Sequence, residues 1–217
     1  MDKKTVLEAL KKLRESGKKR KFTQSVDLIV TLRDLDLKKP EEQVDFFATL
    51  HHPTGKKRKV CALVGPELLE EAKNVCDRAI PTDEFDKFSK DKKLTKKLAS
   101  EFDFFIAQAN IMPKVAAAFG RVLGSRGKMP NPKAGCVVPP KISLRPLYER
   151  LQNTIKVSAK LSPMVQVFVG KESLKDDELA DNILDIFGQL ESKLPKGKNN
   201  VKNAFVKFTM SPSEKLV

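Results

Sequence analysis

The hydrophobic residues of this chain follow one rhythm towards its two ends and another in the middle. Apolar and polar residues alternate over four segments, residues 26–32, 44–50, 154–158 and 164–169. A period of two is typical of strands with one buried face. Residues 60–64 instead form a short continuous apolar run, which favours a strand buried on both faces. We therefore expect one kind of sheet from the two ends and another kind in the middle.

Helical patterns separate these strands. The spacing of apolar residues predicts a first helix over residues 6–13 that stops near Gly17, and Pro66 suits the first turn of a second helix. Further helices are predicted at residues 87–98, 112–123 and 144–151, and strands at 102–107 and 204–210. Residues 154–158 and 164–169 are predicted to be antiparallel strands joined by a turn. A long amphipathic helix follows them, with its apolar face formed by Leu179, Ile183, Ile186, Phe187 and Leu190.

The order of these patterns predicts a mixed α+β and α/β protein of two domains. Both ends of the chain, residues 1–59 and 155–217, form an α+β domain with an antiparallel sheet. Residues 60–154 form an inserted, Rossmann-like α/β domain, because strands alternating with helices imply a parallel sheet. The two chain crossings, near residues 59 and 154, would act as a double hinge. One continuous domain is the alternative.

The charge of the chain restricts its partners. The 217 residues include 42 Lys and Arg against 28 Asp and Glu, a net charge of +14, with a pI near 9.7. Such a balance favours a nucleic acid or an anionic membrane as partner. No apolar run approaches the roughly 20 residues that span a bilayer, and the amino terminus lacks the core of a signal peptide. We expect a cytoplasmic protein, monomeric when free.

Cysteine and histidine patterns give no indication of catalysis or of a metal site. Cys61, Cys76 and Cys136 are odd in number and contain no C-x-x-C pair, so we interpret them as reduced packing residues. The only histidines, His51 and His52, are adjacent and cannot form an i,i+4 metal pair on a helix. No paired carboxylates or serine motif appear. We predict a protein that is not an enzyme and has no cofactor.

Residues 104–148 contain no acidic side chain but hold seven Lys or Arg. Within this window lies a run rich in glycine and proline, residues 120–135, whose backbone and cations suit a polyanion. A nucleotide-binding P-loop is excluded by spacing, because Val122 stands where the first glycine is required and Met129 follows Lys128. An ordinary solvated surface loop is the alternative.

This run closely resembles the segment Gly-x-x-Leu-Gly-Pro-Arg-Gly-x-Met-Pro-Asn-Pro of a ribosomal protein family. The family is that of the lateral-stalk protein of the large subunit, ribosomal protein "L-one", in its archaeal form. The resemblance covers essentially the whole chain, with archaeal-like motifs at residues 21–25, 52–56, 103–109 and 209–212. It implies the same two-domain architecture that the periodicity predicts.

The resemblance implies that the domain made from both ends supplies the main RNA surface. By motif match, its residues at the start of the first strand and the end of the last are Lys21, Phe22, Ser25, Thr209, Met210 and Ser211. Hydroxyl and backbone groups can contact 2′-OH and phosphate groups, while Phe22 and Met210 offer apolar contact to ribose or a base. The alternative for Phe22 is a buried strand residue.

Four further residues are candidates for RNA contact. Gln166 is a weaker candidate for the same surface, and the inserted domain would add the cations Arg126, Lys128 and Lys133. Two residues depart from the family pattern. Ser211 replaces a glycine, where its side chain could crowd RNA or add a contact, and Ser125 replaces a proline, which should loosen the loop.

The resemblance implies a structural protein that binds the rRNA of the mobile lateral stalk and acts in release of deacylated tRNA from the exit site. It also implies translational repression through binding of its own mRNA. The alternative is a general RNA chaperone or basic RNA-binding protein without a specific ribosomal site. An RNA-processing enzyme would need acidic metal ligands or a general base, which the acid-free window lacks. A membrane-surface role is disfavoured because the lysines are not gathered on one amphipathic helix.

Overall fold

A computed structural model describes residues 1–17, 20–39, 41–140 and 142–216. Lys18 and Lys19 of the first cationic run and Lys141 of the acid-free window lie outside the described residues. The helices are α1 Lys3–Ser16, α2 Leu69–Val75, α3 Phe85–Lys90, α4 Lys92–Glu101, α5 Met112–Ser125, α6 Arg145–Gln152 and α7 Asp176–Lys193. The strands are β1 Ser25–Leu32, β2 Val44–Thr49, β3 Val60–Val64, β4 Arg78–Pro81, β5 Phe104–Gln108, β6 Val137–Val138, β7 Thr154–Ala159, β8 Met164–Lys171, β9 Val201–Phe208 and β10 Ser213–Lys215.

The chain forms two compact units. One contains residues 1–56 and 153–217, and the other contains residues 57–152. The sequence pattern had predicted crossings near residues 59 and 154.

The first unit is built on an antiparallel sheet with the strand order β10-β9-β1-β8, accompanied by the two-stranded ladder β2-β7. Burial alternates along β1, so one face of the sheet enters the core with α1 and α7. The predicted apolar face of α7 is confirmed, since Leu179, Ile183, Ile186, Phe187 and Leu190 are all buried.

The second unit contains a parallel sheet with the order β4-β3-β5-β6. Every residue of β3 is buried, as expected for a parallel strand covered on both faces. A core of aromatic and aliphatic side chains surrounds Phe119. The centroid of its ring lies 5.2 Å from the ring centroid of Phe85, and the two rings are arranged edge to face. The mixed fold class predicted from the sequence, an antiparallel sheet and a parallel sheet, is thus confirmed.

The prediction that β7 and β8 pair with each other is wrong. In the structure β7 pairs with β2, and β8 pairs with β1. The two strands follow one another along the chain, but each completes a different ladder. Each of the two strands therefore pairs with an earlier part of the chain and not with its neighbour in sequence.

The prediction of one helix over residues 87–98 is also wrong, because Asp91 divides it. Its carboxylate accepts hydrogen bonds from the amides of Lys93 and Leu94, at 2.7 and 3.3 Å, and so caps the start of α4. The preceding α3 ends at Lys90. The short strands β4, β6 and β10 were not predicted.

The run at residues 120–135 is not a flexible loop throughout, because its first six residues belong to α5. After this helix, Gly127 has φ 63°, its amide donates to Gly124 O at 3.0 Å, and the amide of Lys128 donates to Leu123 O at 2.9 Å. This pair of bonds is the Schellman arrangement, in which a glycine closes a helix. Of the four glycines in the run, Gly120 and Gly124 therefore lie within α5 and Gly127 ends it.

Candidate nucleic-acid interface

The two motifs assigned to RNA binding in the first unit meet at one end of its sheet. The amide of Thr209 donates to Ser25 O at 3.1 Å, and the amide of Ser25 donates to Thr209 Oγ1 at 3.0 Å. These reciprocal bonds extend the antiparallel pairing of β1 with β9 by one step. Residues that are 184 positions apart thus form one continuous surface.

Gln24 connects the same two motifs through a side-chain hydrogen bond. Its side chain is buried, and its Oε1 accepts a hydrogen bond from the amide of Met210 at 3.1 Å. The main chain of Gln24 also exchanges bonds with Glu172, whose amide donates to Gln24 O at 2.9 Å and whose carboxylate accepts from the Gln24 amide at 3.3 Å. Gln24 lies within the motif at residues 21–25 but was not among the residues predicted from the sequence.

A third segment, residues 171–174, completes this end of the sheet. Lys171 lies opposite Ser25 in the register of β8 with β1, and Ser173 is exposed beside Phe22. Arg14 of α1 holds the segment by donating to the carbonyl oxygens of Glu172 and Leu174, each at 3.0 Å. A polar run where β8 ends, Lys171, Glu172 and Ser173, is the feature of the sequence that marks this segment, and none of these residues was predicted as a contact.

Two large apolar side chains are exposed at this end of the sheet. Phe22 is 53% exposed and Met210 is 59% exposed. Burial of Phe22 in a strand, the alternative considered above, does not occur. Phe22 lies with Arg20 and Lys21 along an open cleft of about 350 Å³. Exposed aromatic and thioether groups beside cations are suited to ribose and base contact.

Ser211 fits its position without strain. Asp34 is the one non-glycine residue with positive φ among those described, so Ser211 is not in the left-handed region. Its Oγ accepts a hydrogen bond from the amide of Phe208 at 2.9 Å, and its own amide donates to Phe208 O at 3.3 Å. The hydroxyl that replaces the family's glycine therefore stabilises the turn after β9.

Gln166 lies on the sheet but apart from this cluster. It is exposed on β8, opposite Ile29 of β1. Ile29 is four residues along β1 from Ser25, which corresponds to about 13 Å at the usual rise of a strand. The structure therefore brings together six of the seven candidates of this unit, Lys21, Phe22, Ser25, Thr209, Met210 and Ser211, and leaves Gln166 further along the outer face.

The three cations assigned in the second unit have different surroundings. Lys128 Nζ donates to the carbonyl oxygens of Ala99 and Phe102, at 2.9 and 2.7 Å, and so caps the end of α4. Arg126 donates to Ser100 Oγ at 2.5 Å and to Lys96 O at 3.3 Å, yet it remains exposed. Lys133 is exposed, with its amide bonded to Asn131 Oδ1 at 2.8 Å. The arrangement gives Lys128 a structural role.

The remaining reactive groups have structural partners or are buried. His51 contacts Asp185, and His52 Nε2 lies 3.6 Å from Asp181 Oδ2. Cys61, Cys76 and Cys136 are buried and reduced. Over the described ranges, no group of three or more His, Cys, Asp and Glu side chains is arranged to hold a metal ion. None of the helices in those ranges has the length and apolar character that a membrane span requires.

Comparison with known proteins agrees with the resemblance noted in the sequence. The large ribosomal subunit protein uL1 of Methanobrevibacter smithii is 43% identical over 213 residues, covering 98% of each chain. Proteins with the same description from Methanothermococcus thermolithotrophicus and Methanocaldococcus jannaschii are 42% and 37% identical, over 98% and 100% of this chain and 97% and 96% of their own. The model of the ribosomal protein L1p/L10e family matches residues 10–212, and the chain therefore belongs to that family, in its archaeal form.

Proposed function

We propose that this protein binds the rRNA of the mobile lateral stalk through the end of the sheet in its first unit. Membership of the family makes it a structural constituent of the large ribosomal subunit, in the cytoplasm. The observation that carries the proposal is the joining of residues 21–25 to residues 209–211 by the bonds of Ser25, Gln24 and Thr209. This joining holds two exposed apolar side chains and several polar groups on one rigid surface.

The chemistry of this surface suits a folded RNA. Apolar contact by Phe22 and Met210 can cover ribose or a base, and Thr209, an exposed residue whose hydroxyl is bonded to Ser25, precedes Met210 in the chain. Lys21 adds a charge that attracts phosphate. Gln166 would contact the same RNA further along the sheet. Arg126 and Lys133, both exposed in the second unit, would add phosphate contacts that weaken with salt.

A competition assay at about 0.5 M salt tests the proposal, because purely electrostatic attachment is largely suppressed there. A folded lateral-stalk rRNA fragment competes against a scrambled RNA of the same length. We expect the protein to keep its preference for the stalk fragment. Equal loss of binding to both RNAs would identify a general RNA chaperone or basic RNA-binding protein. This is the second candidate function, and the net charge of +14 favours it.

The double variant Thr209→Ala, Met210→Ala locates the site. Removing the hydroxyl and the thioether should weaken stalk binding by about tenfold or more, since a hydrogen bond is worth about 0.5–1.5 kcal/mol and burial of a side chain such as Met about 1.5–3 kcal/mol. The matched control is Thr49→Ala, Leu161→Ala, which removes an exposed threonine and an exposed apolar side chain elsewhere in the same unit. Equal losses from both variants would exclude the proposed surface.

Family membership also supports two finer proposals. The first is a role in release of deacylated tRNA from the exit site, with the chain crossings serving as a hinge that lets the inserted domain reorient. Solution scattering that gives one fixed shape, with and without RNA, would contradict the hinge, and the same data test for a monomer. The second is repression of the protein's own mRNA, which a cell-free translation assay with added protein tests directly.

A further inference from the structure

A groove between α4 and α5 in the second unit is lined by positive side chains that the stalk proposal leaves largely unused. It has a volume of about 350 Å³. Its lining consists of Lys92, Lys96, Arg121, Val122, Ser125 and Arg126. Four of these six residues are cations, and all four are exposed.

In the part of the chain that the structure describes, none of the four cations forms an ion pair. The acidic residues at the two ends of α4 are already engaged. Asp91 caps the first amides of the helix, and Glu101 lies 3.5 Å from Lys59 Nζ. With four cations in its lining and none of them in an ion pair within the described ranges, the groove keeps an excess of positive charge, which favours an anion.

The fold fixes part of this site in position. Lys92 and Lys96 are one turn apart on α4, about 6 Å along its axis, and so face the same way. Arg121 and Ser125 have the same relationship on α5. Arg126 is anchored across the groove by its bonds to Ser100 Oγ and Lys96 O. Cations on two packed helices thus border one channel.

We propose that this groove binds the phosphate backbone of an RNA duplex, as an attachment separate from the surface at the end of β1 and β9. Four cations match a line of phosphate oxygens, and arginine can bind phosphate with two parallel bonds. Contacts of this kind do not depend on base sequence.

The lining argues against a protein or a membrane as the occupant. Val122 is its one apolar side chain, whereas protein interfaces depend on a buried apolar or aromatic centre. A helix that lies in a membrane surface also needs a broad apolar face. The α4 helix exposes Leu94 as its large apolar residue, and Leu94 does not line the groove.

The test uses the full chain and a 20-base-pair RNA duplex that lacks any stalk sequence. The groove variant is Lys92→Gln, Lys96→Gln, Arg121→Gln. Its control is Lys90→Gln, Lys93→Gln, Lys97→Gln, which removes the same charge from α3 and α4 outside the groove. All six residues are exposed, and thermal unfolding verifies that both variants are folded. Fluorescence anisotropy gives the binding constant at several salt concentrations.

We expect the groove variant to bind the duplex about tenfold more weakly at low salt, with a salt slope lower by about 2, while the control changes the slope by less than about 0.5. Equal effects of the two variants would overturn the proposal, because binding would then follow net charge alone. It would also be overturned if the groove variant kept duplex binding but lost binding to vesicles of anionic lipid. Because the probe lacks stalk sequence, these outcomes are independent of the competition assay on stalk rRNA.

Discussion

The amide of Met210 donates a 3.1 Å hydrogen bond to the side-chain oxygen of Gln24, which is 3% exposed. The buried side chain of Gln24, in one motif, thus holds the backbone of Met210, in the other motif, from which the exposed Met210 side chain projects. It explains how Met210 can project into solvent and still hold a defined position. The relationship makes Gln24 a positioning residue for the proposed RNA surface.

The variant Gln24→Ala should therefore lose both stability and RNA affinity. Leaving the Met210 amide without its partner costs about 1–3 kcal/mol, which urea unfolding measures. Stalk rRNA binding should weaken as well, although Gln24 itself is buried. Gln43→Ala is the control, because Gln43 is half-buried and donates to Leu37 O away from the motifs. Unchanged RNA binding by a destabilised Gln24 variant would contradict the positioning role.

Glycines 120 and 127 should respond to alanine in opposite directions. Gly120 lies inside α5 with no atom within 4 Å of an added Cβ, so Gly120→Ala should stabilise the second unit by about 0.5–1 kcal/mol. Gly127 has φ 63°, and alanine there should cost about 1–2 kcal/mol. Urea unfolding of the two variants measures both changes. A flexible loop at both positions would instead give two small and similar effects.

The contact between His51 and Asp185 should make stability depend on pH. The hydrogen bond that the His51 ring donates to the Asp185 carboxylate raises the pKa of His51 above its ordinary value of about 6.5. The resulting stabilisation is complete below about pH 6.5 and is lost as the pH rises through the raised pKa of the folded state. Asp185→Asn should lower the pKa of His51, as measured by NMR titration of its ring protons. Asp177→Asn makes the same charge change on α7 and should leave this pKa almost unaltered.

The three thiols should be unreactive in the folded protein. Burial raises the pKa of Cys61 above its ordinary range, that of Cys76 to about 12 and that of Cys136 to about 11. Because the thiolate is the reactive form, a thiol reagent at pH 8 should label none of them at first. All three should be labelled after unfolding in urea. Rapid labelling of the native protein would show that the cores open easily.

The sequence predicted the periodic elements well for a physical reason. A period of two marks a half-buried strand wherever it lies, which located β1 and β8, and a helical period located α1 and α7. The difference between the two sheets also followed, because continuous apolar runs mark strands covered on both faces. These patterns depend only on residues that are close in sequence, so the structure of the folded chain agrees with them.

Features set by long-range contacts could not be predicted from the sequence. The partners of β7 and β8 depend on strands more than a hundred residues earlier in the chain, and strands of two to four residues such as β6 have no period to detect. The charges of Arg126 and Lys128 were visible, but their bonds to the end of α4 were not. The motif residues Phe22 and Met210 were found through family resemblance, whereas Gln24 needed the structure.

The position of β1 has a consequence for how the chain becomes functional during synthesis. Both neighbours of β1 in its sheet, β8 and β9, come from residues beyond the inserted unit. Residues 57–152 are contiguous and can fold as soon as they leave the exit tunnel, while β1 must wait for both of its partners. The surface that joins Ser25 to Thr209 cannot exist until residue 209 has emerged. If RNA binds at that surface as proposed, a nascent chain cannot bind it there until residue 209 has been synthesised.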